Sequence, residues 1–404
     1  MMDETVEKTH AESPAFAAEV YHQQISVDFE YPVYFTRDVF NAANLLLASA
    51  VDRLHERRRH RAAVYVDAGA ADAHPGLLSR IREYFHEHAD VLEMAGAGQT
   101  VPGGEAAKNG WEIVRELMWT IGNLHLDRQS FVVAVGGGAV LDMVGFATSL
   151  VHRGLRLVRV PTTVLAQNDA GVGVKTGMDE HRQKNFVGTF APPFAVLNDF
   201  SFLPTLADRD WIGGAAEAFK VAIIKDREFF EFLSESAEAG RRRDRQTMEK
   251  LIRRCAILHL EHIRTSGDPF EFGSARPLDF GHWAGHKIET VTGYTVGHGQ
   301  AVAVGIAIDS HYAMQQGLIT AEELERILSG LERCGLGVWH ECLDRRNGAG
   351  ELLILEGLAE FREHLGGALC VTLPKGIGDK VEVHHVSPDG VEEAVRQLKL
   401  RVKG

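Results

Sequence analysis

The stretch Phe131–Leu150, FVVAVGGGAVLDMVGFATSL, limits the possible folds of this chain more than any other. Phe131–Val135 is a continuous apolar run of strand length, and Gly136, Gly137 and Gly138 follow it at once. Ala139–Leu150 then carries apolar residues at helical spacing, with Asp142 in the first turn. A strand, a glycine turn and a helix N-terminus make an anion site, because unpaired backbone N–H groups and the helix dipole point at the ligand. The turn is not the G-x-G-x-x-G fingerprint. With the next buried-type strand at Leu155–Val160, it still predicts an α/β sheet that binds a dinucleotide at its C-terminal edge.

That second strand turns at Pro161 and brings the hydroxyls of Thr162 and Thr163 to the same edge. The stretch Arg159–Asn185 continues as a glycine-broken loop in which Ala170, Gly171 and Gly173 allow close backbone approach. Asp169, Lys175, Lys184 and Asn185 there offer a carboxylate, two ammonium groups and an amide to an anionic, hydroxyl-rich molecule. Upstream, Gln24–Phe35 reads as a strand, Val39–His55 as a helix and Ala62–Val66 as a strand running into Asp67-Ala68-Gly69. An acidic residue placed as Asp67 is can accept from a ribose hydroxyl, though alone it is an ordinary turn residue. Val101–Gly110 opens a helix with Glu105 and Lys108 on one face, a spacing that by itself means a surface ion pair.

A chain of 404 residues, 45% hydrophobic, suggests two domains. Its formal charge of -13 disfavours nucleic acid and anionic membranes as partners, so a phosphorylated substrate needs a local cationic pocket. No apolar run reaches membrane-spanning length, and residues 1–20, acidic and lacking an apolar core, read as a disordered lead-in. Cys255, Cys334, Cys342 and Cys370 have no metal or redox spacing, which fits a cytoplasmic enzyme. From about Asp199 strand signals give way to helical ones at Asp208–Lys225, Arg243–Arg264, Gly281–Thr292, His298–Gln315, Thr320–Cys334 and Gly390–Val402. The expected boundaries are 21–198 for the α/β part and 199–404 for the helical part, with a cleft between. In the helical part Glu217 and Lys220 are three apart, His282 and His286 four apart, and His298 stands between two glycines. A carboxylate with two imidazoles is a common three-ligand set for a catalytic divalent ion, although each residue alone is more often structural.

With these residues in place, the chain resembles the sugar phosphate cyclases, typified by 3-dehydroquinate synthase. The resemblance runs from about Tyr21 to Val402 and rests on an ordered series of motifs. They are PGGExxK at Pro102–Lys108, GGGxxxD at Gly136–Asp142, Arg153-Gly154, PTT at Pro161–Thr163 and DxxxGxK at Asp169–Lys175. Lys184-Asn185, AExxK at Ala216–Lys220, GHxxGHxxE at Gly281–Glu289 and His298-Gly299 complete the series. The resemblance implies an N-terminal NAD-binding α/β domain, an all-α metal-binding C-terminal domain and a homodimer. It implies NAD contacts at Asp67, Glu105, Lys108, Gly136, Gly137, Gly138, Asp142, Thr162 and Thr163, and metal ligands at Glu217, His282 and His298. The metal implied is zinc, with cobalt as the other option. Asp169, Lys175, Lys184, Asn185 and Lys220 match substrate contacts; His286 and Arg153 match the phosphate surroundings, Arg153 reaching in from the partner subunit. A C-terminal lysine should join them, Lys380 in preference to Lys375. The implied reaction removes hydride from a ketose phosphate, eliminates phosphate, returns the hydride and closes a carbocycle by intramolecular aldol addition.

The sequence also departs from dehydroquinate synthase. Asp169–Lys175 reads DAGVGVK, similar to relatives acting on sedoheptulose 7-phosphate, and Asp279 replaces the usual asparagine. An aspartate there repels a carboxylated substrate and accepts hydrogen bonds from a neutral polyol. Arg276 sits one position off the family's carboxylate-binding arginine, whereas His286 keeps the dehydroquinate-type histidine. The expected substrate is therefore sedoheptulose 7-phosphate. Rival readings are dehydroquinate synthase itself, a metal-dependent glycerol or alcohol dehydrogenase, and a non-catalytic NAD-binding sensor.

Overall fold

The computed structural model describes residues 20–180, 183–266, 268–270, 277–364 and 367–404. The expected lead-in up to residue 19 and Arg276 lie outside the described residues.

Seven strands form one parallel sheet: β1 (Val33–Thr36), β2 (His60–Asp67), β3 (Leu92–Met94), β4 (Gln99–Val101), β5 (Phe131–Gly136), β6 (Arg156–Pro161) and β9 (Ala195–Asp199). Their order is β1-β9-β6-β5-β2-β3, with β4 also lying along β2. Every residue of β5 is buried, as a strand covered on both faces must be. Phe131, Val133 and Val135 face one apolar layer and Val132 and Ala134 the other, the period-two alternation of a strand. Helices α1 (Leu46–Val51), α2 (Ala68–Ala73), α3 (Leu77–Glu87), α4 (Glu112–Asn123) and α5 (Gly138–Leu150) supply those layers. Between β6 and β9 the chain makes an antiparallel hairpin, β7 (Lys175–Glu180) and β8 (Gln183–Phe190).

The remainder is helical: α6 (Asp208–Lys225), α7 (Arg227–Arg241), α8 (Arg245–Thr265), α9 (His282–Val291), α10 (His298–Gln315), α11 (Ala321–Cys334), α12 (Glu356–His364) and α13 (Pro388–Lys403). A two-stranded hairpin, β10 (Val371–Pro374) and β11 (Lys380–Val383), precedes α13. α10 is buried on every side from Ala301 to Ala313, so it forms the axis of this half. Two glycines set how closely its neighbours approach. A β-carbon on Gly299 would lie 2.0 Å from the Gly213 carbonyl oxygen of α6, and one on Gly305 would lie 1.9 Å from the Gly281 carbonyl oxygen before α9. These near-contacts of bare backbone hold an interior turn of α6, Gly213–Glu217, against the start of α10, and the start of α9 against the middle of α10.

Several sequence expectations change. The strand predicted from Gln24 begins only at Val33, and residues 20–30 have no regular structure. The helix predicted over Val39–His55 shrinks to Leu46–Val51, because Asn41 and Asn44 accept from the backbone N–H groups two residues ahead and hold turns instead. Glu105–Lys108 is a single 3-10 turn between Gly104 and Gly110, both at positive φ. The glycine-broken loop around Ala170, Gly171 and Gly173 is a π-helical turn, Ala166–Ala170, followed by a tight bend. From Lys175 the chain enters the β7–β8 hairpin, whose paired Gly177 and Gly188 concealed its strand pattern. Helices α2, α3, α7 and α12, strands β3, β4 and β9 and the β10–β11 hairpin were not anticipated. Among the described residues no helix is long and apolar enough to cross a membrane.

Candidate active site

β2 leads outward to β3 and β4, and the chain then returns to place β5 on the other side of β2. The carboxyl ends of β2 and β5 therefore border the crevice where such a sheet changes direction, the usual ligand position in open α/β sheets. Asp67 closes β2 and Gly136 closes β5. Asp67 Oδ1 accepts from the N–H groups of Gly69 (2.8 Å) and Ala70 (3.3 Å), capping α2. A β-carbon on Gly103 would lie 2.4 Å from that oxygen, so the Pro102-Gly103-Gly104 turn can close over Asp67 only without a side chain. Gly137, extended at the N-cap of α5, and Gly138 line the cavity with Thr162 and Thr163. This bare-backbone cradle beside a helix N-terminus fits a pyrophosphate.

Lys108 is buried beside it, and its Nζ lies 2.9 Å from Asp142 Oδ2 and 3.8 Å from Glu105 Oε1. Burial works against its charge, but Asp142 and Glu105 outweigh burial and raise its pKa. Lys108 also donates to the Asn185 side chain, while Asn185, at φ 54, donates its backbone N–H to Asp179 Oδ1 (2.8 Å). Lys184 Nζ bridges Glu105 Oε1 (3.2 Å) and Glu289 Oε1 (2.7 Å). The residues matched to cofactor and those matched to metal are thereby joined by one line of alternating charge.

The acid–imidazole cluster lies at the far end of that line. Nε2 of His298 is 3.3 Å and Nε2 of His282 3.7 Å from Glu217 Oε1, and Lys220 contacts Oε2. One ligand atom from each of Glu217, His282 and His298 lies within 4.8 Å of the others. Glu217 is wholly buried, and neither of its oxygens has a hydrogen bond of acceptable geometry despite the nitrogens around them. A buried carboxylate left this way, with imidazole nitrogens turned to it, fits a divalent cation. Burial works against the charge on Glu217, but Lys220 and the histidines outweigh it and hold its pKa well below the usual range. His282 falls to about 4, through burial first and then Lys220. His286 is also pushed well down, by burial and then His282. His298 goes the other way: burial opposes its charge, but Glu289, helped by Glu217, raises it to about 9.

Glu289 explains why His298 faces Glu217. Its Oε2 lies 3.1 Å from His298 Nδ1, which leaves Nε2 for the cluster. A carboxylate behind a ligating imidazole fixes the ring and raises its basicity. Glu289, His286 and His298 also form a triad of metal-ligand atoms. The Lys184 ammonium already neutralises Glu289, so that triad is better read as support for the first. Sequence reasoning placed Glu289 in a motif without giving it a task; the periodicity shows it, two turns beyond His282 on the same helix.

One cavity of about 1000 Å³ joins the two regions. Its wall includes Asp67, Glu105, Lys108, Gly137, Gly138, Asp142, Thr162, Thr163, Asp169, Lys175, Lys184, Asn185, Lys220, Asp279, His282, His286 and His298. Gly136 and Glu217 are buried behind that wall. Arg153 is exposed outside it, and Lys380 pairs with Glu382 (2.9 Å) on β11, likewise outside it. His259 on α8 also lines the cavity, and no motif pointed to it.

The comparisons with known proteins agree with this geometry. Residues 99–213 match the 3-dehydroquinate synthase N-terminal family and residues 214–352 the 3-dehydroquinate synthase C-terminal family. A 2-epi-valiolone synthase from Actinosynnema mirum is 32% identical over 385 residues, 94% of each chain. A 3-dehydroquinate synthase from Geotalea uraniireducens is 38% identical over 257 residues, 63% of this chain and 71% of the relative. Among solved structures, ValA, the 2-epi-5-epi-valiolone synthase from Streptomyces hygroscopicus subsp. jinggangensis 5008 with NAD+ and Zn2+ bound, superposes with a TM-score of 0.83 at 29% identity. That superposition covers 94% of this chain and 100% of that one.

Proposed function

Since this chain belongs to the 3-dehydroquinate synthase family of sugar phosphate cyclases, we propose that it closes a neutral ketose phosphate, sedoheptulose 7-phosphate, into a carbocycle. The observation that carries the reading is the single cavity onto which both the cofactor-type cradle and the acid–imidazole cluster open. Bound there, NAD+ would take up and return hydride and a divalent ion, zinc or cobalt, would polarise a substrate oxygen. Asp67, Glu105, Lys108, Gly136–Gly138, Asp142, Thr162 and Thr163 are the residues proposed to hold NAD, and Glu217, His282 and His298 those proposed to hold the ion.

Lys175, Lys184, Asn185 and His286 supply a donor-rich place for the phosphate, against the acidic average of the chain. Lys220, buried between Glu217 and Asp169, keeps its charge because those carboxylates outweigh the cost of burial. It can then steady a developing negative charge on substrate oxygen without surrendering its proton. Asp279 lies in the same cavity and acts electrostatically on Lys220. Its carboxylate favours a hydroxylated substrate end over a carboxylated one. A second copy of the chain is proposed to complete the site with Arg153. His152, Arg153 and Gly154 have φ of 51, 67 and 109, a backbone that holds Arg153 outward, next to Leu150, which is 40% exposed. We assign residues 21–198 to cofactor and 199–404 to metal and substrate. The cytoplasm is the proposed compartment, consistent with four cysteines that are all buried and unpaired.

The experiment gives purified protein, NAD+ and Zn2+ or Co2+ each sugar separately: sedoheptulose 7-phosphate, the carboxylated heptulosonate phosphate and glucose 6-phosphate. Phosphate release and a carbocyclic product, read by mass spectrometry, are expected with the first. Turnover of only the carboxylated sugar would identify the enzyme as a dehydroquinate synthase, and net NADH without phosphate release would identify a dehydrogenase.

A further inference from the structure

We propose that His259 is a substrate-recognition residue that receives a hydroxyl from the polyol end of the ketose phosphate, its ring held in place by Asp169. The inference rests on the neutral-substrate reading above and adds a residue to it. α8 presents His259 to the cavity shared by Lys220 and Asp279. The side chain is only 16% exposed, and its Nδ1 lies 2.6 Å from Asp169 Oδ1. The two groups are in ion-pair contact without a well-aligned hydrogen bond, and with Nδ1 turned to the carboxylate, Nε2 is the ring nitrogen left to meet a substrate hydroxyl. The Nε2 edge faces Gly173, where a β-carbon would sit 3.5 Å away, so glycine leaves that edge uncovered. Gly173 also lines the cavity.

His259 lines the cavity with two carboxylates, Asp169 and Asp279, both of which act electrostatically on Lys220. Such a set accepts hydrogen bonds and suits hydroxyl donors. A carboxylated substrate end would bring a further negative charge to Asp169 and Asp279 and no proton for Nε2. The pair therefore sorts substrates by hydrogen-bond polarity, a discrimination that buried polar groups enforce strongly when one partner is missing.

Two variants test this from opposite sides. In His259→Asn the amide nitrogen overlays Nδ1, so the contact with Asp169 is kept while the distal acceptor is lost. In Gly173→Ala the methyl group covers the Nε2 edge while His259 and Asp169 stay. Steady-state kcat and KM for sedoheptulose 7-phosphate are measured with bound metal and thermal unfolding as controls. Each variant should raise KM by ~10- to 100-fold with a smaller change in kcat and with metal content retained. Unchanged KM in both, with a wild type active on this sugar, would overturn the role of His259 and leave the substrate reading standing. A wild type inert toward sedoheptulose 7-phosphate but active on the carboxylated sugar would overturn the substrate reading itself, and the role of His259 with it. If one variant does not fold, the other decides.

Discussion

Glu289→Gln removes a charge, and almost no volume, from behind the acid–imidazole cluster. In the native chain Glu289 Oε2 lies 3.1 Å from His298 Nδ1 and Oε1 lies 2.7 Å from Lys184 Nζ. The glutamine oxygen can still accept from one of them, but its amide nitrogen can only donate, and the other partner is a donor too. A hydrogen bond to a charged group contributes about 1.5–3 kcal/mol and a neutral one about 0.5–1.5. The difference, about 1–1.5 kcal/mol, corresponds to a ~5- to 10-fold loss of affinity for the ion. Lys184 would keep only Glu105, at 3.2 Å, and its less compensated charge would add to the loss. Glu289→Ala removes the support altogether and should cost ~10- to 100-fold, the usual range for such partners. Competition for Zn2+ or Co2+ against a chromophoric chelator reads the affinity, and the visible spectrum of the cobalt form reads the geometry. Folded Gln and Ala variants that both bind the ion as the wild type does would refute the argument that Glu289 positions His298.

Three further outcomes follow from the same geometry. Because His298 has a pKa near 9 in the metal-free chain, an ion must displace its proton at pH 7.5. Calorimetric titrations in buffers of different ionisation enthalpy should show about one proton released per ion, fading above pH 9; none at pH 7.5 would contradict the ring's assigned state. The same raised value stabilises the metal-free fold fully below about pH 6.5, and that contribution is lost as pH rises through 9, which thermal unfolding of the metal-free protein should show. Gly305→Ala would put a methyl 1.9 Å from the Gly281 carbonyl oxygen, where backbone meets backbone. Denaturant unfolding should register a loss of about 1–3 kcal/mol, and metal content should fall because His282 follows Gly281 directly. For the proposed partner contribution of Arg153, separately inactive Arg153→Ala and Lys175→Ala chains, refolded together, should regain part of the wild-type rate; no recovery in a mixture shown to be dimeric argues against a shared site.

Much of the α/β half was legible in the chain. A run such as FVVAV ending in three glycines has few other fates, and helices α6 and α10 begin and end where their periodicity does. The β7–β8 hairpin was not legible, since paired glycines carry no side-chain alternation. Nor was α7, even though Asp226 caps it by accepting from the Phe229 N–H (3.0 Å). Residue type and spacing also brought out Glu217, His282, His286 and His298 as candidates, because a carboxylate and imidazoles are what a divalent cation needs, and the family resemblance singled out Glu217, His282 and His298 among them.

What residue type could not disclose was proximity. Glu217 and His298 are 81 positions apart by number, and they meet because Gly299 lets α10 touch the backbone of α6 at Gly213. The tasks proposed for Glu289 and His259 come from the same source: each is an unremarkable helical polar residue until packing sets it against a histidine of the acid–imidazole cluster or a half-buried aspartate. Sequence decides which groups are present and on which face of an element they stand. The depth to which two helices can approach, a matter of backbone contact between residues far apart in the chain, decides which of those groups share a charge.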